Sequence, residues 1–455
     1  MDEMEKIERE LSKKDYFVVS SMLFALFFGA GNLIFPLHLG QIAGHDWSFA
    51  AVGFLVTGVL LPLFSVLAIA LTHSDGVYDI GLPAGAKFAL VFMTLIHLTI
   101  GPLFGTPRTA TVSYTVGIAP FVPKQFNQIG LLIFTTLFFI FAYLIAYKES
   151  DILSALGKIL NPIFLILLFL VFFIAFLFPM GDPNAAPATK AYGSSGLSFI
   201  NGFLEGYNTM DALAGLAFGV TIITAIRQMG KKEDKSVAIV TANSGVFSMS
   251  AIGLIYVFLI IIGAMSLGRF KVSADGGIAF SQIVQSYAGI AGQALLAALI
   301  ILTCITTAVG LVAAFAQDFH AHYSKLSYHT WLGISCGAAF LVANCGLETI
   351  IAWSKPVLML LYPIAIVVII LSLGVHIFKK NKTMYVVSLF FTLIPAILDM
   401  IVSMPPVVSQ SSFGLAIAHV RNTLPLAGQG LSWVVPMLVG LILGTIIFKI
   451  KAKNS

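Results

Sequence analysis

Residues Phe27 to Pro36 read FFGAGNLIFP, and their reading decides the fold. They lie near the middle of an apolar run long enough to cross a bilayer core of about 30 Å. Gly29 and Gly31 weaken a helix and free its backbone, and Pro36 removes a donor. Inside lipid, an interrupted backbone persists only where protein or a water-filled cavity meets the exposed N–H and C=O groups. The stretch therefore predicts a broken membrane helix beside a cavity. Gly-x-Gly also lets two helices approach closely, and for one motif alone that packing reading stays open.

A second interruption appears downstream in EGYNTMDALAG, Glu205 to Gly215, with Gly206, Asn208, Thr209 and Asp211 in it. It opens a sixth apolar span about 177 residues after the first. Five spans separate the two starts, so the second unit enters the membrane from the opposite side. That is an inverted repeat, expected over 16–179 and 199–378, with two peripheral helices over 384–449 and a short cytosolic segment over 1–15. Paired interrupted helices at corresponding positions point to a transporter binding site.

Composition agrees with a membrane bundle. Of 455 residues, 58% are hydrophobic and 10% charged, whereas soluble domains carry roughly 25% charged residues. Backbone in lipid must be a helical bundle or a closed barrel, and continuous apolar runs select helices. About twelve spans are expected, at 16–43, 48–72, 86–112, 127–147, 158–179, 199–226, 236–265, 289–318, 328–345, 355–378, 384–403 and 431–449. With the N-terminus inside, 18 of the 25 Lys and Arg fall on the cytoplasmic side, among them Lys6, Arg9, Lys148, Lys158 and Lys453, and six on the other. That bias predicts cytoplasmic termini and an inner or plasma membrane location. The longest loops, 180–198, 266–288 and 404–430, fall outside and have room for short surface helices. The first residues lack a signal-peptide cleavage pattern. Cys304, Cys336 and Cys345 lie in or beside apolar runs without metal spacing and are expected to pack. The net charge of +5 does not point to nucleic acid.

The breaks carry chemistry. A half-helix beginning near Asn32 points free N–H groups and its positive dipole end at Gly29, Ala30 and Gly31, a cradle for a carboxylate. The preceding half-helix leaves carbonyls unpaired at about Ala25 to Phe28, which suit an ammonium group or a sodium ion. One break can hold both ends of an amino acid. In the eighth span, LTCITTAVGL sets Thr303, Thr306 and Thr307 on one helix face. Two hydroxyls and the Thr303 carbonyl, with the Ala25 and Phe28 carbonyls, offer a sodium ion hard oxygen ligands. Alternatively the hydroxyls bond back to their own helix. Among ionisable residues inside spans, Asp211 is a candidate for capping, cation pairing or proton carriage, and Arg108 for snorkelling or gating. Asp399 is expected to pair within the bundle, and His97 to pack.

FFGAGNLIFP, GPLFGTPRTA, GYNTMDALAG and LTCITTAVGL, in this order, resemble the branched-chain amino acid:cation symporter family of the bacterial LIV-II or BrnQ type. That family lies within the amino acid–polyamine–cation superfamily and is similar in fold to LeuT-type transporters. The likeness runs along nearly the whole chain and implies ten core helices plus two peripheral ones. It also implies import of leucine, isoleucine and valine driven by sodium, or by protons in some members. On the matching motifs, Gly29, Ala30 and Gly31 would hold the substrate carboxylate, and the Phe27 and Tyr207 carbonyls the amine. Ala25, Phe28, Thr303, Thr306 and Thr307 would hold sodium, and Asn32 would support a second cation. Phe27, Phe28, Tyr207 and Met210 make an apolar pocket, with Asn208 beside them. Gly105, Thr106 and Asn208 depart from the commoner family wording.

Other classes are less well served. A channel wants charge rings or repeated carbonyl filters, and none stands out. No HExxH, GxSxG or GxxxxGK[ST] occurs, so neither an enzyme nor a primary pump is expected, and no cofactor is needed beyond the coupling ion. A proton-coupled carrier of another small solute on the same fold remains the alternative.

Overall fold

A computed structural model describes residues 10–147 and 152–454, without the side chains of 152–162, Leu296 and 452–454. Lys6, Arg9 and Lys148, and the side chains of Lys158 and Lys453, lie outside the described residues. Among the described residues all regular structure is helical, because in lipid each helix satisfies its own backbone.

The helices that matter below are α1 (Lys13–Phe27), α2 (Ala30–Ala43), α3 (Trp47–Leu55), α4 (Leu61–Thr72), α5 (Ala86–Leu98), α6 (Gly105–Gly117), α7 (Asn127–Tyr147), α8 (Ile152–Leu177), α9 (Ser195–Glu205), α10 (Asp211–Gln228), α11 (Asp234–Ser266), α12 (Gly276–His322), α13 (Tyr328–Ala343), α14 (Leu347–Leu373), α15 (Lys382–Val402), α16 (Ser412–Arg421) and α17 (Val434–Asn454). Nine stretches among the described residues are long and apolar enough to cross a bilayer, and Ile163–Leu177 and Tyr328–Ala343 are shorter apolar helices. Two interruptions leave flanking pieces too short to span alone, α1 with 15 residues and α9 with 11.

Packing crosses between the halves. In the first half α1 and α2 lie against α11 of the second, and in the second half α9 and α10 lie against α3 and α4 of the first. Glycines permit the close crossings. A Cβ on Gly40 would stand 1.9 Å from the Ile260 carbonyl, and one on Gly263 2.0 Å from the Leu37 carbonyl. At the other crossing, a Cβ on Gly53 would stand 1.9 Å from the Phe199 carbonyl, and one on Gly202 2.0 Å from that of Ala50. Small residues that let backbones approach are the usual basis of helix association in membranes.

Two expectations need correction. The third span, read as one helix over 86–112, is interrupted: Gly101 has φ −88° and ψ −119°, Pro102 follows, and α6 begins only at Gly105 and runs to Gly117. Pro102 cannot donate to the preceding turn, which ends the helical ladder there. The segment 266–288 is a surface loop only over its first part, since residues 267–275 are non-helical and largely exposed while the rest is helix. α12 starts at Gly276, capped by Asp275 Oδ1 accepting from the Ile278 N–H at 2.9 Å, and buries Ala279, Phe280, Ile283 and Val284. It turns at Gly289, whose φ of +62° and ψ of −170° glycine adopts without a Cβ clash.

α15 packs against α14, and α17 packs on α15. Asp399, fully buried on α15, pairs with Arg421 at 2.8 Å and accepts from the Ser432 hydroxyl at 2.7 Å. Cys304 and Cys336 are buried free thiols, while Cys345 is exposed at a helix end.

Candidate functional site

The first helix is interrupted at Phe28 and Gly29. Phe28 is extended, with φ −81° and ψ 101°, as is Gly29, with φ −130° and ψ −167°. The following helix starts at Ala30, earlier than the expected start near Asn32. Asn32 explains the shift: its side-chain Oδ1 accepts from the Gly29 N–H at 2.9 Å, closing the new helix N-terminus from inside. An amide at the third helical position acts here as the reaching-back half of a capping box. The N–H groups of Ala30 and Gly31 open the helix with no earlier turn to bond.

The second interruption runs through a 3₁₀ turn, Gly206–Thr209, into Met210, which is left-handed at φ +61° and ψ 8° before α10 begins. A side chain bearing a Cβ is strained in that region by roughly 1–2 kcal/mol, so the surroundings must hold it. They do so with hydrogen bonds. The Thr57 hydroxyl donates to the Phe203 carbonyl at 2.6 Å. Arg108 Nη1 donates to the Asn208 carbonyl at 2.5 Å, and Asn208 Nδ2 donates to Glu205 Oε2 at 2.7 Å. Gly206 allows this approach, since a Cβ there would meet the Thr57 Oγ1 at 2.0 Å.

Between the two interruptions lies a cavity of about 80 Å³. Of the residues expected at the site, Ala25, Phe27, Phe28, Gly29, Ala30, Gly31, Asn32, Arg108, Met210, Asp211 and Thr307 line it. Tyr207, Asn208, Thr303 and Thr306 do not. The Tyr207 ring stacks on Tyr362 with centroids 4.0 Å apart, and its carbonyl accepts from the Met210 N–H. The Thr306 and Thr307 hydroxyls donate to the Thr303 carbonyl at 2.8 and 3.1 Å, so they bond back to their own helix. The Thr303 hydroxyl is buried with no hydrogen-bond partner.

A polar knot joins the breaks. Asn32 Nδ2 donates to Asp211 Oδ2 at 2.7 Å, and it also meets the Tyr256 hydroxyl on α11. Tyr256 in turn donates to the same Asp211 oxygen at 3.0 Å. All three residues are buried. Burying polar groups is costly unless they are hydrogen-bonded, so this knot fixes α2, α10 and α11 in one mutual arrangement. Sequence reading missed Tyr256. Its only signal was a tyrosine deep in an apolar run, away from the interfacial belt where tyrosines usually sit.

Arg108 also moves from its expected place. It is 3% exposed, so it does not snorkel. The interruption at Gly101 sets it in the first turn of α6, with its guanidinium 4.7 Å over the Phe35 ring and Nη2 3.3 Å from the Ser354 hydroxyl. His97 is off the cavity, and its Nε2 lies 2.6 Å from Asp318 Oδ2 on α12.

The arrangement offers free N–H groups, one cationic and one anionic side chain, and walls of Phe27, Phe28, Ile100, Met210 and Leu311. It suits a small solute with polar ends and an apolar body.

The model of the family described as "Branched-chain amino acid transport protein" matches residues 12–451. The chain is 39% identical over 443 residues to the branched-chain amino acid permease BraB of Bacillus subtilis, covering 97% of each. It is 38% identical over 435 residues to the branched-chain amino acid permease BrnQ of Lactobacillus delbrueckii subsp. lactis, covering 95% of this chain and 96% of that one. Among solved structures it is similar in fold to Mhp1, a nucleobase-cation-symport-1 family transporter, in a closed conformation with bromovinylhydantoin bound. That likeness has a TM-score of 0.60 at 13% identity and covers 96% of this chain and 93% of that one.

Proposed function

This chain belongs to the branched-chain amino acid transport protein family, and from that premise we propose that it imports leucine, isoleucine and valine by sodium symport. The transporter class and the branched-chain substrates follow from the family; the coupling ion, the site and the access mechanism are our reading. The observation that carries it is the cavity between the two interrupted helices, whose walls are apolar and whose ends are polar. The substrate carboxylate lies at the N–H groups of Ala30 and Gly31, and the side chain lies against Phe27, Phe28 and Met210. Sodium lies near the Ala25 and Phe28 carbonyls and the Thr307 hydroxyl, with Thr303 and Thr306 turning toward it once the ion is present. The cavity opens alternately to either side as one half of the bundle tilts on the other. Both termini face the cytosol, supported by the Lys and Arg bias.

A second reading, proton coupling, is favoured by one observation: Asp211 is a carboxylate buried in the membrane on the cavity wall. Uptake of labelled leucine into proteoliposomes, under separately imposed sodium and proton gradients, decides between them. The sodium reading expects accumulation with an inward sodium gradient at equal pH. Accumulation under a proton gradient alone, indifferent to sodium, rejects it.

A further inference from the structure

The cavity is lined by a basic and an acidic side chain, Arg108 and Asp211, which act on each other electrostatically without being in ion-pair contact. The guanidinium of Arg108 keeps its charge in any protein environment. Its contacts are the Asn208 carbonyl, the Ser354 hydroxyl and the Phe35 ring, all neutral. Its Nε is buried without any hydrogen-bond partner. No carboxylate among the described residues pairs with it. The hydrogen-bond contacts of Asp211 are just as neutral: Asn32 and Tyr256 donate to its Oδ2, the Thr209 hydroxyl also bonds to its side chain, and among the described residues no Lys, Arg or His forms an ion pair with it. Buried charges are normally paired, since an uncompensated one is expensive. Here one of each sign lines the same cavity without an ion pair between them.

We propose that Arg108 binds the carboxylate of the transported amino acid and Asp211 its ammonium group, so that a fixed pair of opposite charges selects zwitterions. The proposal rests on the reading of this cavity as the amino-acid site and adds to it the residues that read the two charged ends. Position supports it. Arg108 Nη1 lies 3.7 Å from where a Cβ on Gly31 would stand. The guanidinium therefore sits beside the start of α2, and a carboxylate placed there meets it together with the Ala30 and Gly31 N–H groups. A side chain at Gly31 would occupy that space and press on Phe35, whose ring is 3.2 Å from the same point. Asp211 belongs to the other interrupted helix, and so the two ends of one ligand tie the two breaks together. The same geometry gives the polar knot a role, since Asn32 and Tyr256, both donating to Oδ2, fix the Asp211 carboxyl on the cavity wall. A ligand lacking its carboxylate would leave Arg108 uncompensated, and one lacking its amine would leave Asp211 so.

The test uses the full chain in lipid nanodiscs and three ligands of one side-chain shape: leucine, leucinamide, which lacks the negative charge, and 4-methylpentanoate, which lacks the ammonium. The wild-type protein is expected to bind leucine at least about 10- to 100-fold tighter than either analogue, the range of a lost charge-assisted hydrogen bond. Arg108→Gln is expected to lower leucine affinity by a similar factor while leaving leucinamide affinity within about threefold, with Arg108→Lys between them. Asp211→Asn is expected to lower leucine affinity and leave that of 4-methylpentanoate nearly unchanged. Equal weakening of leucine and leucinamide by Arg108→Gln overturns the proposal, since a purely structural role moves both alike. Wild-type protein that binds leucinamide as tightly as leucine overturns it without any variant. If leucine binding instead survives Gly31→Trp, which fills the cavity, the site reading itself fails, and that result is distinct from a failed charge pair.

Discussion

Replacing Asn32 by alanine probes how the interruptions are held together. The substitution removes the acceptor for the Gly29 N–H, a capping contact worth about 1 kcal/mol. It also removes the donor to Asp211 Oδ2 at 2.7 Å, and a hydrogen bond to a charged group contributes about 1.5–3 kcal/mol. Tyr256 still donates to that oxygen at 3.0 Å, so the oxygen keeps one partner and the larger figure does not apply. The loss comes to about 2.5 kcal/mol, or about sixtyfold in an equilibrium constant. The first bond shapes the start of α2 on the cavity wall and the second ties α2 to α10, so the loss is expected mainly in substrate binding. Leucine binding by scintillation proximity, paired with thermal unfolding of the same sample, separates binding from folding. Asn32→Asp keeps an acceptor for Gly29 but sets a second carboxylate against Asp211, and is expected to bind leucine no better than the alanine variant. Leucine affinity within about threefold of wild type in Asn32→Ala, at an unchanged unfolding temperature, would refute the role given to this knot.

Further outcomes follow from the same structure. Thr307→Ala removes the hydroxyl of the one α12 threonine of the three that lines the cavity, and half-saturating sodium for leucine uptake is expected to rise about tenfold, the value of one lost oxygen ligand; unchanged sodium dependence removes Thr307 from the ion site. Gly40→Ala and Gly263→Ala each drive a Cβ into backbone across the α2–α11 crossing, where it cannot yield as a flexible side chain does, and both are expected to lower the unfolding temperature far more than Gly310→Ala, where a Cβ meets open space. Asp399→Ala strands Arg421 and is expected to destabilise the chain by about 3–5 kcal/mol, the range for breaking a buried pair. Because this pair lies on the peripheral helices, substrate affinity of the folded fraction is expected to stay at the wild-type level, measured by leucine binding after size-exclusion selection.

Much of the fold was legible because membrane helices write themselves as continuous apolar runs and because FFGAGNLIFP and EGYNTMDALAG carry residues that no uninterrupted helix needs. The position of the helix restart was not legible. Local propensity favours a start near Asn32, whereas the Asn32 side chain reaches back to Gly29 and moves the start to Ala30. The break at Gly101 was overlooked because a Gly-Pro step in an apolar run also fits a kinked, unbroken helix. That oversight displaced Arg108, which the sequence placed near an interface and the fold buries on the cavity wall. Spacing put Thr303, Thr306 and Thr307 on one face, but it could not say that Thr306 and Thr307 spend their hydroxyls on their own backbone. Tyr256 lay beyond sequence reasoning because its role depends on α11 crossing α2, a contact between residues 224 positions apart.

The central claim is that one amino acid binds between the interruptions at Phe28–Gly29 and Gly206–Met210. An experimental structure of the protein in nanodiscs with leucine bound tests it most directly. The account predicts ligand density in this cavity, its carboxylate end at Ala30 and Gly31 and its aliphatic end against Phe27, Phe28 and Met210. Leucine density elsewhere in the bundle, or a continuous α-helix through residues 28–29 with no room beside it, would contradict it.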